Sequence, residues 1–400
     1  MKFGVIKEGK VPSDERVALT PAQVVDLKII GGEQVDFNIQ TSAVRRIKDS
    51  EYQSANLSVV ENVENCDVLI GVKEVPISNL IPNKTYLFFS HTIKKQPYNK
   101  PLLKAILDKN ITLIDWECLR DENDHRLIGF GRYAGIVGSY NGFRAFGKLH
   151  GFYELKKATD CVDRVELNLE IAKISLSPIK ILLTGAGKVA KGALEVLTEI
   201  GIRKVEINEY LTQSFDEAVY CQIDFHDYFR KEDNNEFTTQ EFMAKPSLFK
   251  SDFMKFARVT DFLITGHFWS SQSPFLFTRE DAKSADFNIK LVADISCDID
   301  GPIASTLRPS TIAHPFYGYD PILEKEVPFG TKDSIAVMAV DNLPCELPRD
   351  ASNDFGEMFT KFVFPAFLNG DEKTILKRAT IAENGAVTDE FAYLRSWVEE

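Results

Sequence analysis

KILLTGAGKVAKGALEVLTEIG, residues 180–201, reads as an apolar strand, a glycine turn and an amphipathic helix in that order. Gly185 and Gly187 permit a sharp turn and a close backbone approach to a pyrophosphate. The helix that follows presents unpaired N–H groups and the positive end of its dipole. The pattern is GxGxxA, with Ala190 where a third glycine often stands, so Gly185, Gly187, Lys188 and Val189 are expected at a dinucleotide. About twenty residues on, VEINEY (205–210) supplies Glu206 and Glu209 near the end of what reads as the next strand. A carboxylate there holds the adenosine ribose hydroxyls, which favours NAD. Asn208 in the same segment and the nearby cations Lys188 and Lys204 leave NADP open.

Working outward, DFLITGHF (261–268), KLVADIS (290–296) and SIAVMAV (334–340) continue a strand series after the turn. Upstream, KFGVIK (2–7), QVDFNI (34–39), VLIGVK (68–73), TYLFFSH (85–91) and ITLIDW (111–116) are short apolar runs. Polar helical stretches such as PAQVVDLKII (21–30) separate them, and strands alternating with helices predict an α/β fold with parallel sheets. The run 133–158, with small and aromatic residues at helical spacing, predicts a long connecting helix and a boundary near Gly131–Ala134. The expected organisation is a substrate domain of 1–132 plus 346–400 and a dinucleotide domain of 133–345. Within the latter, the polar, aromatic-rich stretch 211–256 reads as a mostly helical insertion.

The 400 residues include 47 Lys+Arg and 59 Asp+Glu, a net charge of -12 that opposes binding to nucleic acid or an anionic membrane. The N-terminal MKFGVIKEGK is charged and lacks the apolar core of a secretory signal. The six cysteines are dispersed without CxxC spacing, so free thiols in a reducing cytoplasm are expected and no metal framework follows. His226 and His314 have no partner at metal-ligand spacing. A monomer or small homo-oligomer is expected.

A second constellation lies in the first domain: Lys10 and Arg16 in KVPSDERVALTP, Lys73 in IGVKEVP, His91 in FFSHTIK, and Arg126 and Arg132 in RLIGFGRYAG. Lys73 and His91 each stand at the C-terminal end of an apolar strand, the edge where open α/β sheets place ligands. A lysine and a histidine form an acid–base pair near neutrality once neighbours adjust them, and Glu117 is the candidate partner. The alternatives are a solvated strand-end lysine and a hydrogen-bonded loop histidine. Asp341 and Asn342 in AVDNLP follow an apolar strand and form a turn pair on one reading.

FGVIKEGKVPSDERVALTP resembles the N-terminus shared by alanine dehydrogenases, saccharopine dehydrogenases and the NAD-binding part of proton-translocating transhydrogenases. More narrowly, IGVKEVP, KTYLFFSHTIKKQ, LIDWE, GFGRYAG, TGAGKVAKGA, VADISCDIDGPI, STIAHPFYGYD and AVDNLPCELPRDAS resemble the lysine-ketoglutarate reductase portion of the bifunctional lysine-degrading protein and the lysine-forming saccharopine dehydrogenase. The resemblance implies two Rossmann-like domains with parallel sheets flanked by helices and the active-site cleft between them. It implies reversible conversion of saccharopine to L-lysine and 2-oxoglutarate with a nicotinamide cofactor, and it transfers acid–base roles to Lys73 and His91. The resemblance of AVDNLP to a loop of this family implies a place for Asp341 and Asn342 at the nicotinamide end of the cofactor. Saccharopine carries three carboxylates, which assigns Lys10, Arg16, Arg126 and Arg132 to substrate binding with Glu117 beside them. Two other readings remain open: an alanine dehydrogenase, and a non-catalytic NAD-binding module acting with a membrane partner.

Overall fold

The computed structural model describes residues 1–233 and 235–399. The chain divides into two compact units, Met1–Phe130 with Pro348–Glu400, and Gly131–Leu347. In chain order the first unit lays down β1 (Lys2–Val5), β2 (Asp36–Gln40), β3 (Ser58–Val60), β4 (Val68–Ile70), β5 (Thr85–Phe88) and β6 (Thr112–Asp115). The second follows with β7 (Lys180–Thr184), β8 (Arg203–Lys204), β9 (Val219–Ile223), β10 (Phe229–Lys231), β11 (Phe249–Ser251), β12 (Phe262–Thr265), β13 (Leu291–Asp294), β14 (Phe316–Asp320), β15 (Lys325–Val327) and β16 (Ile335–Met338). The chain then returns to the first unit with β17 (Thr380–Glu383) and β18 (Ala386–Val387).

In the first unit the sheet runs β18-β17-β6-β5-β4-β1-β2-β3, with β1 to β6 parallel and β17 and β18 antiparallel at one edge. Both faces are covered, so β4 and β5 read as continuous apolar runs rather than alternating ones. From β1 the chain crosses by helix Pro21–Gly31 to β2 on one side, while β4 pairs on the other. That helix starts where it does because Thr20 and Gln23 cap it reciprocally and Pro21 lacks the N–H that would go unpaired. The reversal of strand order between β1 and β4 makes a crevice at their C-terminal ends, the usual ligand position in such sheets. The returning C-terminal segment places Phe355, Phe359 and Phe364 in the same core as Phe3, Phe37 and Trp116.

The second unit's sheet runs β15-β14-β16-β13-β12-β7-β9-β8, parallel except for β14 and β15, and its order reverses between β7 and β12. Helix Gly131–His150 packs on helix Lys188–Ile200 through glycines. A Cβ on Gly135 would stand 1.9 Å from the Val189 carbonyl oxygen, and one on Gly192 1.9 Å from that of Arg132. Two readings need correction here. KVEINEY is strand only at Arg203–Lys204, because Glu206 and Glu209 form a capping box that starts a helix at Ile207. The stretch 211–256, expected to be mostly helical, instead supplies β9 to the middle of the sheet and the hairpin of β10 and β11, Asn234 lying outside the described residues. Polar flanks conceal VYCQI, a five-residue run short and apolar enough to be a buried strand. Among the described residues no helix is long and apolar enough to cross a membrane.

Candidate active site

At the first unit's crevice, β1 exits into Ile6–Lys10 and β4 into Gly71–Glu74, and Glu8 joins the two exits. Its Oε1 accepts from the Val72 N–H (2.7 Å) and its Oε2 from the Lys73 N–H (2.8 Å). Burial of that carboxyl, with Asp14 nearby, outweighs the two amides and Arg16 and pushes its pKa up to about 7. Asp14 moves the other way. Burial would raise it, but Arg16 and the charge of Lys73 hold it down at about 2. Lys73 is thus fixed at its backbone by Glu8 and lies within electrostatic reach of Asp14.

The exits of β5 and β6 bring in the other groups. Asp115 accepts from the Ser90 N–H at 2.9 Å and from the Glu117 N–H at 2.7 Å, so the segments carrying His91 and Glu117 are tied side by side. His91 itself adopts φ +54°, a left-handed conformation sparsely used outside glycine and typical of constrained functional positions. A linear array results. Lys10 Nζ meets Glu74 Oε2 at 2.9 Å, Glu74 Oε1 lies 3.8 Å from His91 Nε2, and His91 Nδ1 lies 3.5 Å from Glu117 Oε2. Glu117 Oε1 then faces Lys94 Nζ at 3.4 Å and Arg126 Nη1 at 3.8 Å. The facing atoms Glu74 Oε1, His91 Nδ1 and Glu117 Oε2 are buried and form no hydrogen bond.

The structure therefore brings together the side chains of Lys10, His91, Glu117 and Arg126 of the expected residues, with Lys73 next to Glu74 in the chain and within electrostatic reach of Asp14. It adds Glu8, Asp14, Glu74 and Lys94, none of which the sequence reading singled out. Glu74 was marked only by being an acid beside Lys73 at a strand exit, and Glu8 by the same position after β1. Arg16 is buried, forked onto Asp14 (Nε to Oδ1 3.0 Å, Nη2 to Oδ2 2.6 Å), and stacked 4.1 Å over Phe130. Arg132 belongs to the second unit, where it pairs with Glu195 (2.6 and 3.0 Å).

Burial alone would raise the Glu117 carboxyl, yet His91, Lys94 and Arg126 around it hold it down at about 2, against an ordinary 4.5. A carboxylate depressed by folding stabilises the native state above its unfolded pKa, and that contribution fades as pH falls through the folded value. Glu117→Gln is accordingly expected to flatten the acid loss of stability between pH 4.5 and about 2. Urea midpoints over that range check this, and identical acid profiles for both proteins would contradict the cluster.

In the second unit the glycine turn stands at the crevice between β7 and β12. Gly185 has φ +93°, and a Cβ there would lie 2.5 Å from the Gly266 carbonyl oxygen, so only glycine fits. Gly187, the N-cap of helix Lys188–Ile200, has nothing within 4 Å of an added Cβ. A tight turn with open space over a helix start fits a dinucleotide pyrophosphate. Lys188 and Val189 open that helix, and Asp341 and Asn342 are exposed beyond the C-terminal end of β16. His267, unremarked in the sequence, closes the crevice: its Nδ1 lies 2.6 Å from Thr184 Oγ1, and burial pushes its pKa down to about 4, leaving it neutral. Glu206 and Glu209 bond each other in their capping box. Among the described residues no three His, Cys, Asp or Glu gather as a metal site.

Residues 4–137 match the alanine dehydrogenase/PNT N-terminal domain. That match covers about a third of the chain, nearly all of it in the first unit. The chain is 29% identical to the mouse mitochondrial alpha-aminoadipic semialdehyde synthase over 96% of this chain and 46% of that protein. It is 27% identical to the Arabidopsis thaliana alpha-aminoadipic semialdehyde synthase over 98% of this chain and 41% of that protein. The chain thus spans less than half the length of these relatives. Against the lysine-forming, NAD(+) saccharopine dehydrogenase of Yarrowia lipolytica it is 25% identical, covering 86% of this chain and 87% of that enzyme. Among solved structures an L-alanine dehydrogenase matches with a TM-score of 0.65 at 16% identity, over 100% of this chain and 99% of that one, which shows a shared fold.

Proposed function

We propose that this chain is a nicotinamide-dependent oxidoreductase of lysine metabolism that interconverts saccharopine with L-lysine and 2-oxoglutarate, using NAD. The observation that carries the reading is the array at the first unit's strand exits, in which His91 stands between Glu74 and Glu117 and Lys73 adjoins Glu74 in the chain. A relative named as a lysine-forming, NAD(+) saccharopine dehydrogenase aligns over 86% of this chain. Oxidation requires the secondary amine of saccharopine to be neutral, so a base takes its proton, and that role is assigned to Lys73 Nζ and His91. When bound, NAD supplies the acceptor for the hydride leaving the carbon that carries this amine. Water then adds to the resulting imine of the substrate. The same pair removes the proton of the attacking water and returns one to the departing lysine amine, so two groups serve the whole cycle. Lys10, Lys94 and Arg126 lie along the carboxylates of Glu74 and Glu117, where they can turn to the carboxylates of the substrate, and Arg126 offers a fork suited to one of them. The buried unpartnered oxygens of Glu74 and Glu117 and the ring Nδ1 of His91 are groups that a polar substrate or its water would satisfy.

The test follows the absorbance of the reduced cofactor with purified chain, in both directions, offering saccharopine with NAD, lysine plus 2-oxoglutarate with NADH, and alanine with NAD. Turnover with the saccharopine couple and none with alanine is expected. Turnover with alanine alone would replace the reading with the alanine dehydrogenase alternative, and silence with every pair would favour a binding module.

A further inference from the structure

In a dinucleotide-binding sheet the adenosine ribose lies over the strand next to the glycine-turn strand, within reach of a carboxylate at that neighbour's C-terminal tip. Ordinarily the neighbour follows the first helix directly. Here it does not. Helix Lys188–Ile200 delivers the chain to β8, the outermost strand, and only afterwards does the chain turn back to insert β9 between β8 and β7. The registers are explicit: Lys180 to Thr184 pair with Val219 to Ile223, while Arg203 and Lys204 pair with Val219 and Tyr220 on the far side. Neighbouring strands stand about 4.8 Å apart, so the exit of β8, with Glu206, is about 10 Å from β7. The exit of β9 is one spacing away. It carries Asp224.

Two hydrogen bonds fasten that exit to the glycine turn. The Gly185 N–H donates to the Ile223 carbonyl at 2.7 Å, and Gln222 Nε2 donates to the Gly185 carbonyl at 2.9 Å. Asp224 follows immediately, partly exposed, its Oδ1 steadied by the His226 N–H at 2.9 Å. Lys204, the cation nearest in sequence to Glu206, stands in register with Tyr220, three residues short of the Ile223 tip and on the outer strand.

We infer that Asp224 is the carboxylate that receives the adenosine ribose hydroxyls, and that it sets the preference for NAD over NADP. This rests on the reading that the second unit binds a nicotinamide dinucleotide. A carboxylate accepts hydrogen bonds from vicinal hydroxyls, whereas a 2′-phosphate in the same place brings like charge and no donor.

The experiment is equilibrium binding of NADH and NADPH, read by nicotinamide fluorescence, to the full chain and to its Asp224→Asn, Asp224→Ser and Glu206→Gln variants. Asn and Ser both retain an oxygen that caps the following turn, so the fold has two independent chances to survive, with circular dichroism as the control. The wild type is expected to hold NADH at least about ten-fold more tightly than NADPH, and either Asp224 variant to weaken NADH about ten-fold and close that gap. An unchanged NADH-to-NADPH ratio in a folded Asp224 variant, or a ratio that moves with Glu206→Gln instead, overturns the assignment while leaving dinucleotide binding intact. A wild type that binds neither dinucleotide overturns the binding reading and the assignment with it.

Discussion

Lys73→Met is expected to lower turnover of the saccharopine couple by about 10²–10⁴-fold, the usual worth of a positioned acid–base group, while NADH binding is unchanged. The separation follows from where Lys73 sits. It lies in the first unit, held at its amide by Glu8, whereas the glycine turn belongs to the second. Methionine keeps the length and most of the packing of the lysine stem, so what is lost is the ammonium. His91→Asn, assayed alongside, is expected to fall by a similar factor, and the double variant by little more than the worse single one, because groups that act as a unit are not additive. Steady-state assays with saturating NAD and a fluorescence titration of NADH distinguish the effects. Undiminished kcat in Lys73→Met would remove the lysine from the mechanism.

The largest stability effect is expected at Trp116→Ala, about 3–5 kcal/mol, a substantial share of the roughly 5–15 kcal/mol that holds a domain folded. Trp116 is fully buried at the exit of β6. Its ring meets Phe355 edge-on at 5.3 Å and Phe359 at 5.9 Å, both from the returning C-terminal segment. Its Nε1 donates to the Gly71 carbonyl at 2.8 Å, just ahead of Val72 and Lys73. Truncation therefore opens a cavity between segments distant in sequence and strips the Gly71 carbonyl, two residues ahead of Lys73, of its partner. Urea unfolding followed by circular dichroism gives the change. A loss below about 1 kcal/mol would mean that the C-terminal return is not part of this core.

Much of the site was legible because it sits where strands end. An apolar run followed by Lys73, and another followed by His91, place each residue at a carboxyl edge without knowledge of what lies beside it. Glu74 and Glu8 were not legible, since an acid after a strand is common. Only the pairing of β1 with β4 turns Glu8 into the acceptor for the Lys73 amide. Arg16 looked like a substrate ligand from its position in SDERVALTP, but Asp14, two residues earlier, occupies its fork. The ribose carboxylate was sought at Glu206 and Glu209 by counting residues from the glycine turn. Counting assumes that the next strand in sequence is the next strand in space.

Elements whose signal is contained in one stretch of chain were thus determined by the sequence alone: the strand, turn and helix at 180–201, the α/β alternation, and Lys73 and His91 at strand ends. Hydrophobic period, turn residues and caps act over a few residues, so their reading needs no partner. Strand order, the company of Arg16, the depression of Glu117 by His91 and Lys94 from one segment and Arg126 from another, and the placing of Asp224 beside the glycine turn were decided only in the tertiary structure. Each depends on which apolar faces bury against each other and which charges that burial then crowds together, a property of the packed chain rather than of any segment within it.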